Sequence, residues 1–99
     1  MLVAFARKDL DRLETDLDFD GGFAMAIVVL FRKRILQIRA AKDERDFYAL
    51  KSLHFEKLKG NRSSQHSMRL NDQWRIILEF TGKGPQKTAN IISVENHYE

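Results

Sequence analysis

Lys59, Arg62, His66, Arg69 and Arg75 fall within one stretch, residues 58–75, LKGNRSSQHSMRLNDQWR. Arginine and lysine at this density suit phosphate or carboxylate groups. Arg69 and Arg75 are the most informative pair, because hairpin register decides where they point. Met68 and Leu70 alternate with Ser67 and Arg69; after a turn at Asn71–Asp72, Trp74, Ile76, Leu78 and Phe80 alternate with Arg75, Ile77 and Glu79. A two-residue turn would pair Leu70 with Gln73 and put Met68 on the face of Arg75. A three-residue connection, Asn71 to Gln73, pairs Leu70 with Trp74 and Met68 with Ile76, which keeps one face apolar. That register sets Arg69 opposite Arg75 on the second face. Like charges opposite one another on a sheet repel. Either nearby carboxylates such as Glu79 neutralise them, or an anion binds between them.

Other chemistries find little support. The chain has no cysteine, so thiolate chemistry and disulfides are excluded. No Ser/His/Asp arrangement or metal-ligand cluster is evident, and neither metal nor cofactor is expected. GKGPQK, residues 82–87, lacks the Ser/Thr and the helix that a phosphate-binding P-loop needs, and reads as a turn. Residues 1–20 carry three basic against six acidic residues, residues 21–50 six against three, and residues 51–99 eight against five. The basic part thus follows an acidic one, which hints at an anionic partner.

The elements that must hold these residues fit one domain, residues 1–99, with enough apolar residues (43%) for a modest core. Met1–Phe5 suggests a first strand, and Leu10 and Leu13 give KDLDRLET, residues 8–15, a helical turn or two. DLDFDGG, residues 16–22, is turn material. Phe23, Ile27, Phe31, Ile35 and Ile38 predict a helix over residues 23–41. A shorter helix follows over residues 44–50, capped by Asp43 and docked by Phe47 and Leu50. From residue 51 the period changes to two: Leu53 and Phe55, then the hairpin, then a last strand over residues 89–94. The order predicts an α+β fold, a mostly antiparallel sheet with two to three N-terminal helices packed on one face. The other face is then free for function. The longest apolar run, Phe23 to Phe31, is shorter than a membrane span, and the N-terminal run is shorter than a signal peptide core. A soluble, cytoplasmic protein is expected.

Taken in order, FEKLKGNR, SMRLN, DQWRII and the chain end VENHYE resemble the HigB-type toxins of the RelE/ParE superfamily. FRKRILQIRAAKD and ALKSL in the helical half are similar too. The resemblance spans nearly the whole chain. It implies a small RelE-like sheet and the toxin of a bacterial toxin–antitoxin pair, most members of which cleave mRNA on the ribosome. It also implies a HigA-like antitoxin with a helix-turn-helix domain, through which alone the toxin meets operator DNA. Arg75 takes the place of the family's catalytic cation and Lys59 that of a substrate-facing lysine. The histidine that some members carry three residues before this lysine is replaced by Glu56, and Asn96-His97-Tyr98 stands where the family often has Asp-Tyr-His.

Metal-free RNA cleavage needs a base for the 2′-OH, an acid for the leaving 5′-oxygen, and cations for charge on phosphorus. On this resemblance Glu56 is expected as base, His97 as acid and Arg75 as catalytic cation, with Tyr98 stacking on a base or sharing the proton work. Lys59, Arg69, Lys57 and Arg62 are expected to bind RNA. The bland readings are an ion pair between Glu56 and a lysine, a tail position for His97, surface positions for His54 and His66, and a core position for Trp74. Arg32, Lys33 and Arg34 read as a solvated helix face or a contact with ribosomal RNA, and the Phe23–Ile38 stripe as core or antitoxin interface. Two other functions stay open: a ParE-like toxin that inhibits DNA gyrase without catalysis, and an inactive RNA-binding or interaction module.

Overall fold

A computed structural model describes residues 1–96. The elements run β1 (Leu2–Phe5), α1 (Lys8–Thr15), α2 (Met25–Ala40), α3 (Arg45–Ala49), β2 (Glu56–Lys57), β3 (His66–Arg69), β4 (Trp74–Thr81) and β5 (Thr88–Asn96). The strands form one sheet in the order β1-β5-β4-β3-β2. β1 runs parallel to β5, and all other pairs are antiparallel. The α+β layout expected from the sequence, with helices on one sheet face, is the observed one.

The helices bury the residues their periodicity marks. α1 buries Leu10 and Leu13; α2 buries Ile27, Val28, Phe31, Ile35 and Ile38. These meet Met68, Leu70, Ile76, Leu78 and Ile91 from the sheet. Each large apolar side chain so buried contributes about 1.5–3 kcal/mol. α2 starts at Met25, two residues later than its apolar period suggests. The Asp20–Phe23 turn, closed by the Phe23 amide on the Asp20 carbonyl at 3.0 Å, occupies that stretch, and Phe23 stacks edge-on against Trp74.

The basic face of α2 is not simply solvated. Arg32 donates to the carbonyls of Leu13 (3.0 Å) and Asp16 (3.2 Å), closing the open end of α1. Arg34 is buried and donates from Nε to the Arg69 carbonyl at 3.0 Å. Of the three, only Lys33 is fully exposed.

The period-two reading after residue 51 is corrected. Lys51–Leu53 form a 3-10 turn, His54 adopts a left-handed conformation (φ 45°), and β2 is only two residues long. Leu53 and Phe55 are buried as alternation suggested, but across this turn rather than along a strand. Leu50, expected to dock α3, is exposed; Phe47 alone does so. Asp43 does accept the Arg45 amide at 2.9 Å. GKGPQK is a turn, as expected, with Gly84–Gln86 in 3-10 form.

Candidate phosphate-binding site on the open sheet face

The three-residue connection forms. Met68 pairs with Ile76 and Arg69 with Arg75, and the Leu70 amide bonds the Trp74 carbonyl at 2.8 Å. Asn71 shapes the turn by accepting the Gln73 and Trp74 amides at 2.9 and 2.8 Å. Arg69 and Arg75 therefore face each other on the side of the sheet away from the helices.

They line a cavity of about 380 Å³ together with His54, Glu56, Ser67, Asn71, Asp72 and Trp74. Glu56 reaches it because it pairs with Ser67 on β3, one step from Arg69 on the same face. Glu56 has no ion pair among the described residues, so the lysine partner suggested by sequence is not formed. His54 reaches the cavity through its left-handed backbone, a conformation in which His is enriched. Its Nε2 lies 3.0 Å from Nη1 of Arg69. A guanidinium only donates, so in this contact the imidazole nitrogen is the acceptor.

The arginines are partly neutralised, but not by Glu79, which instead accepts from Ser64 Oγ at 3.1 Å. Arg69 forms an ion pair with Asp72, whose side chain is 89% exposed. Arg75 pairs in register with Glu95 on β5. A register shift between Ile77 and Leu78 makes this possible: Leu78 pairs with Ile91 but Ile77 with Ser93, so the extra residue moves Glu95 beside Arg75. Glu95 also takes both nitrogens of Arg62 (3.2 and 2.9 Å) and Ser93 Oγ (2.8 Å). Burial pushes its carboxyl up, but these bonds and the charges of Arg62 and Arg75 outweigh that and hold it below the usual carboxylate range. Nε of Arg75 is buried and has no hydrogen-bond partner among the described residues.

The remaining expected RNA-binding residues stand apart from the cavity. Lys57 pairs with His66 and alternates onto the helix side of the sheet. Lys59 is exposed at the start of the Gly60–Arg62 turn, and Arg62 is engaged by Glu95 and Gln65. His66 is half-buried rather than fully exposed: it stacks on Phe55 (centroids 5.1 Å, planes 9° apart) and abuts Phe80. Trp74 belongs to both settings, half-buried against Phe23 and lining the cavity. His97 and Tyr98 lie outside the described residues.

Sequence reasoning missed His54, Asp72 and Glu95 as site residues. Asp72 was visible as a turn residue next to Arg69. His54 and Glu95 depend on a left-handed residue and a β-bulge, which leave no periodic signal.

An open sheet face carrying paired arginines, backed by helices on the other side, defines a small α+β protein with a mostly antiparallel sheet. The sequence matches, over residues 3–97, the model of the RelE-like toxins of type II toxin–antitoxin systems, HigB, and the chain belongs to that family. Solved structures similar to it include a YoeB/ParE toxin from Agrobacterium tumefaciens, with a TM-score of 0.64 at 19% identity over 99% of this chain and 100% of that one. A mutant of YafQ from E. coli gives a TM-score of 0.53 at 9% identity over 97% and 92%. The conserved hypothetical protein HP0894 from Helicobacter pylori gives 0.52 at 15% over 100% and 97%. At these identities the likeness is one of fold. No curated protein matches the sequence. Membership of this toxin family implies an antitoxin partner.

Proposed function

We propose that this chain is a ribosome-dependent endoribonuclease that cleaves mRNA in the cytoplasm and thereby stops translation. The observation that carries the reading is the pairing of Arg69 with Arg75 in a cavity that also holds Glu56, a carboxylate with no ion pair among the described residues. Two guanidinium groups on a rigid hairpin suit a phosphodiester whose charge grows in the transition state. Glu56 takes the 2′-OH proton; the 2′-oxygen attacks phosphorus, and the 5′-oxygen leaves with a proton from His97. The products are a 2′,3′-cyclic phosphate and a 5′-hydroxyl. His54 keeps Arg69 turned into the cavity, Tyr98 stacks on a base or shares the proton work, and Lys59 and Arg62 add phosphate contacts outside it. The antitoxin is a HigA-like helix-turn-helix protein that carries the complex to operator DNA.

Mapping mRNA ends after brief expression of wild type and His97→Ala tests this. Codon-phased breaks that vanish in the variant are expected. Intact mRNA with gyrase-dependent DNA damage would establish the ParE-like reading instead.

A further inference from the structure

Glu95 and Arg75 stand directly opposite each other on β5 and β4, on the open side of the sheet. Opposite charges in such a cross-strand pair lie within reach and attract. These two nevertheless form no ion pair among the described residues. Nε of Arg75 stays buried with no hydrogen-bond partner there.

Arg62 accounts for this. It reaches from the Gly60–Arg62 turn, which lies between β2 and β3, to β5 at the other side of β3 and β4. There its two terminal nitrogens meet the two carboxylate oxygens of Glu95 at 3.2 and 2.9 Å. Ser93 Oγ adds a third bond at 2.8 Å. Gln65 Oε1 accepts from Nε of Arg62 at 2.9 Å and so fixes the guanidinium. Such a two-pronged grip is the strong form of an arginine–carboxylate bond, and both side chains are partly buried. With both oxygens taken, Glu95 has little left to offer Arg75. Arg62 and Arg75 are the two cations whose charge acts on the Glu95 carboxyl. Once Arg62 is removed, the carboxylate turns to Arg75.

We propose that Arg62 is a positioning residue: it holds Glu95 off Arg75 and so keeps the Arg75 guanidinium open to phosphate. This goes beyond any phosphate contact that Arg62 makes itself. Its consequence for cleavage rests on the endoribonuclease reading; the exchange of partners rests on the geometry alone.

Two measurements test it. In a purified translation reaction with a defined mRNA, Arg62→Ala cleaves about tenfold or more slowly than wild type, the scale of a charge-assisted bond diverted from the substrate. Adding Glu95→Gln removes the competing charge and returns the rate to within about threefold of wild type, the coupling expected of residues in one network. A loss that persists undiminished in the double variant would overturn the proposal, because Arg62 then acts on RNA itself or on the fold. The second measurement needs no cleavage: carboxyl-carbon NMR of the full chain follows the titration of Glu95. In Arg62→Ala the carboxyl still titrates low, because Arg75 has taken over. Adding Arg75→Ala then raises its pKa by about one unit or more. A Glu95 titration that ignores the loss of Arg75 in the Arg62→Ala background would overturn the proposal, whatever the activity. Should wild type leave mRNA intact, the endoribonuclease reading fails and the titration alone decides the exchange of partners. Arg62→Lys keeps the charge but loses the two-pronged grip. It replaces Arg62→Ala if that variant does not fold, and its smaller loss must again be relieved by Glu95→Gln.

Discussion

The buried guanidinium of Arg34 donates to the carbonyl oxygen of Arg69, tying α2 to the hairpin that holds the arginine pair. Arg34 also bonds Gln37 Oε1 at 3.1 Å, so its own position is fixed within the helix. The side chain that positions the site thus comes from the opposite layer of the fold.

Arg34→Met removes this tie while keeping an unbranched apolar stem. The Arg69 carbonyl loses its partner, and a loss of about 1–3 kcal/mol in stability is expected. Urea unfolding of the variant measures it. Arg34→Lys restores only part, since a single ammonium does not reproduce the two directed bonds.

On the proposed function, Asp72 competes with phosphate for Arg69, with which it forms an ion pair. Its carboxylate is the more exposed partner, 89% against 35% for Arg69, so the pair is easily exchanged. Asp72→Asn is expected to tighten binding of a non-cleavable RNA analogue several-fold, most clearly at low salt. Anisotropy titrations at two salt concentrations check this; weaker binding would mean that Asp72 orients Arg69 rather than blocking it.

His66 supplies a pH dependence. Burial, aided by the charge of Lys57, pushes its pKa below the ordinary imidazole value, and its Nδ1 is buried with no hydrogen-bond partner among the described residues. The neutral form is therefore favoured in the fold. Glu44, ion-paired with Lys87, pulls the pKa back up in part. A depressed folded pKa means that this stability is complete above the unfolded value, about 6.5, and is lost as pH falls through the folded one. His66→Phe keeps the stacking on Phe55 and should flatten the slope of stability against pH below that value, as read by thermal melts.

Gly82 is the glycine whose replacement costs most. Its φ is +79°, and an added Cβ would lie 2.7 Å from the Gln86 carbonyl oxygen. Gly82→Ala should destabilise by about 1–3 kcal/mol, whereas Gly84→Ala, which meets nothing within 4 Å, should cost less. Parallel unfolding curves separate the two.

How much of this was legible in the sequence depended on the kind of signal. The stripe from Ile27 to Ile38 and the alternation of Trp74 to Phe80 gave the layers, because burial enforces period over many residues. The apolar face also chose the Arg69–Arg75 register, since a shorter turn would have put Met68 beside Arg75. Single-residue events were not legible. The left-handed backbone at His54 moves a histidine into the cavity, and the extra residue in β5 brings Glu95 rather than Glu79 to Arg75. Lys57 went astray for the same reason: in a two-residue strand, pairing of Glu56 with Ser67 alone decides which side chain faces the site. Arg34 was hidden because a buried guanidinium looks, in sequence, like its solvated neighbour Lys33.

The pairing of Arg75 with phosphate is tested most directly in a purified translation reaction with a defined mRNA. Wild type is expected to leave breaks ending in 2′,3′-cyclic phosphate. Arg75→Ala, with an unchanged melting curve, should reduce their rate by about 10²–10³-fold, and Arg75→Lys should fall between the two. Equal cleavage by wild type and Arg75→Ala would contradict the account.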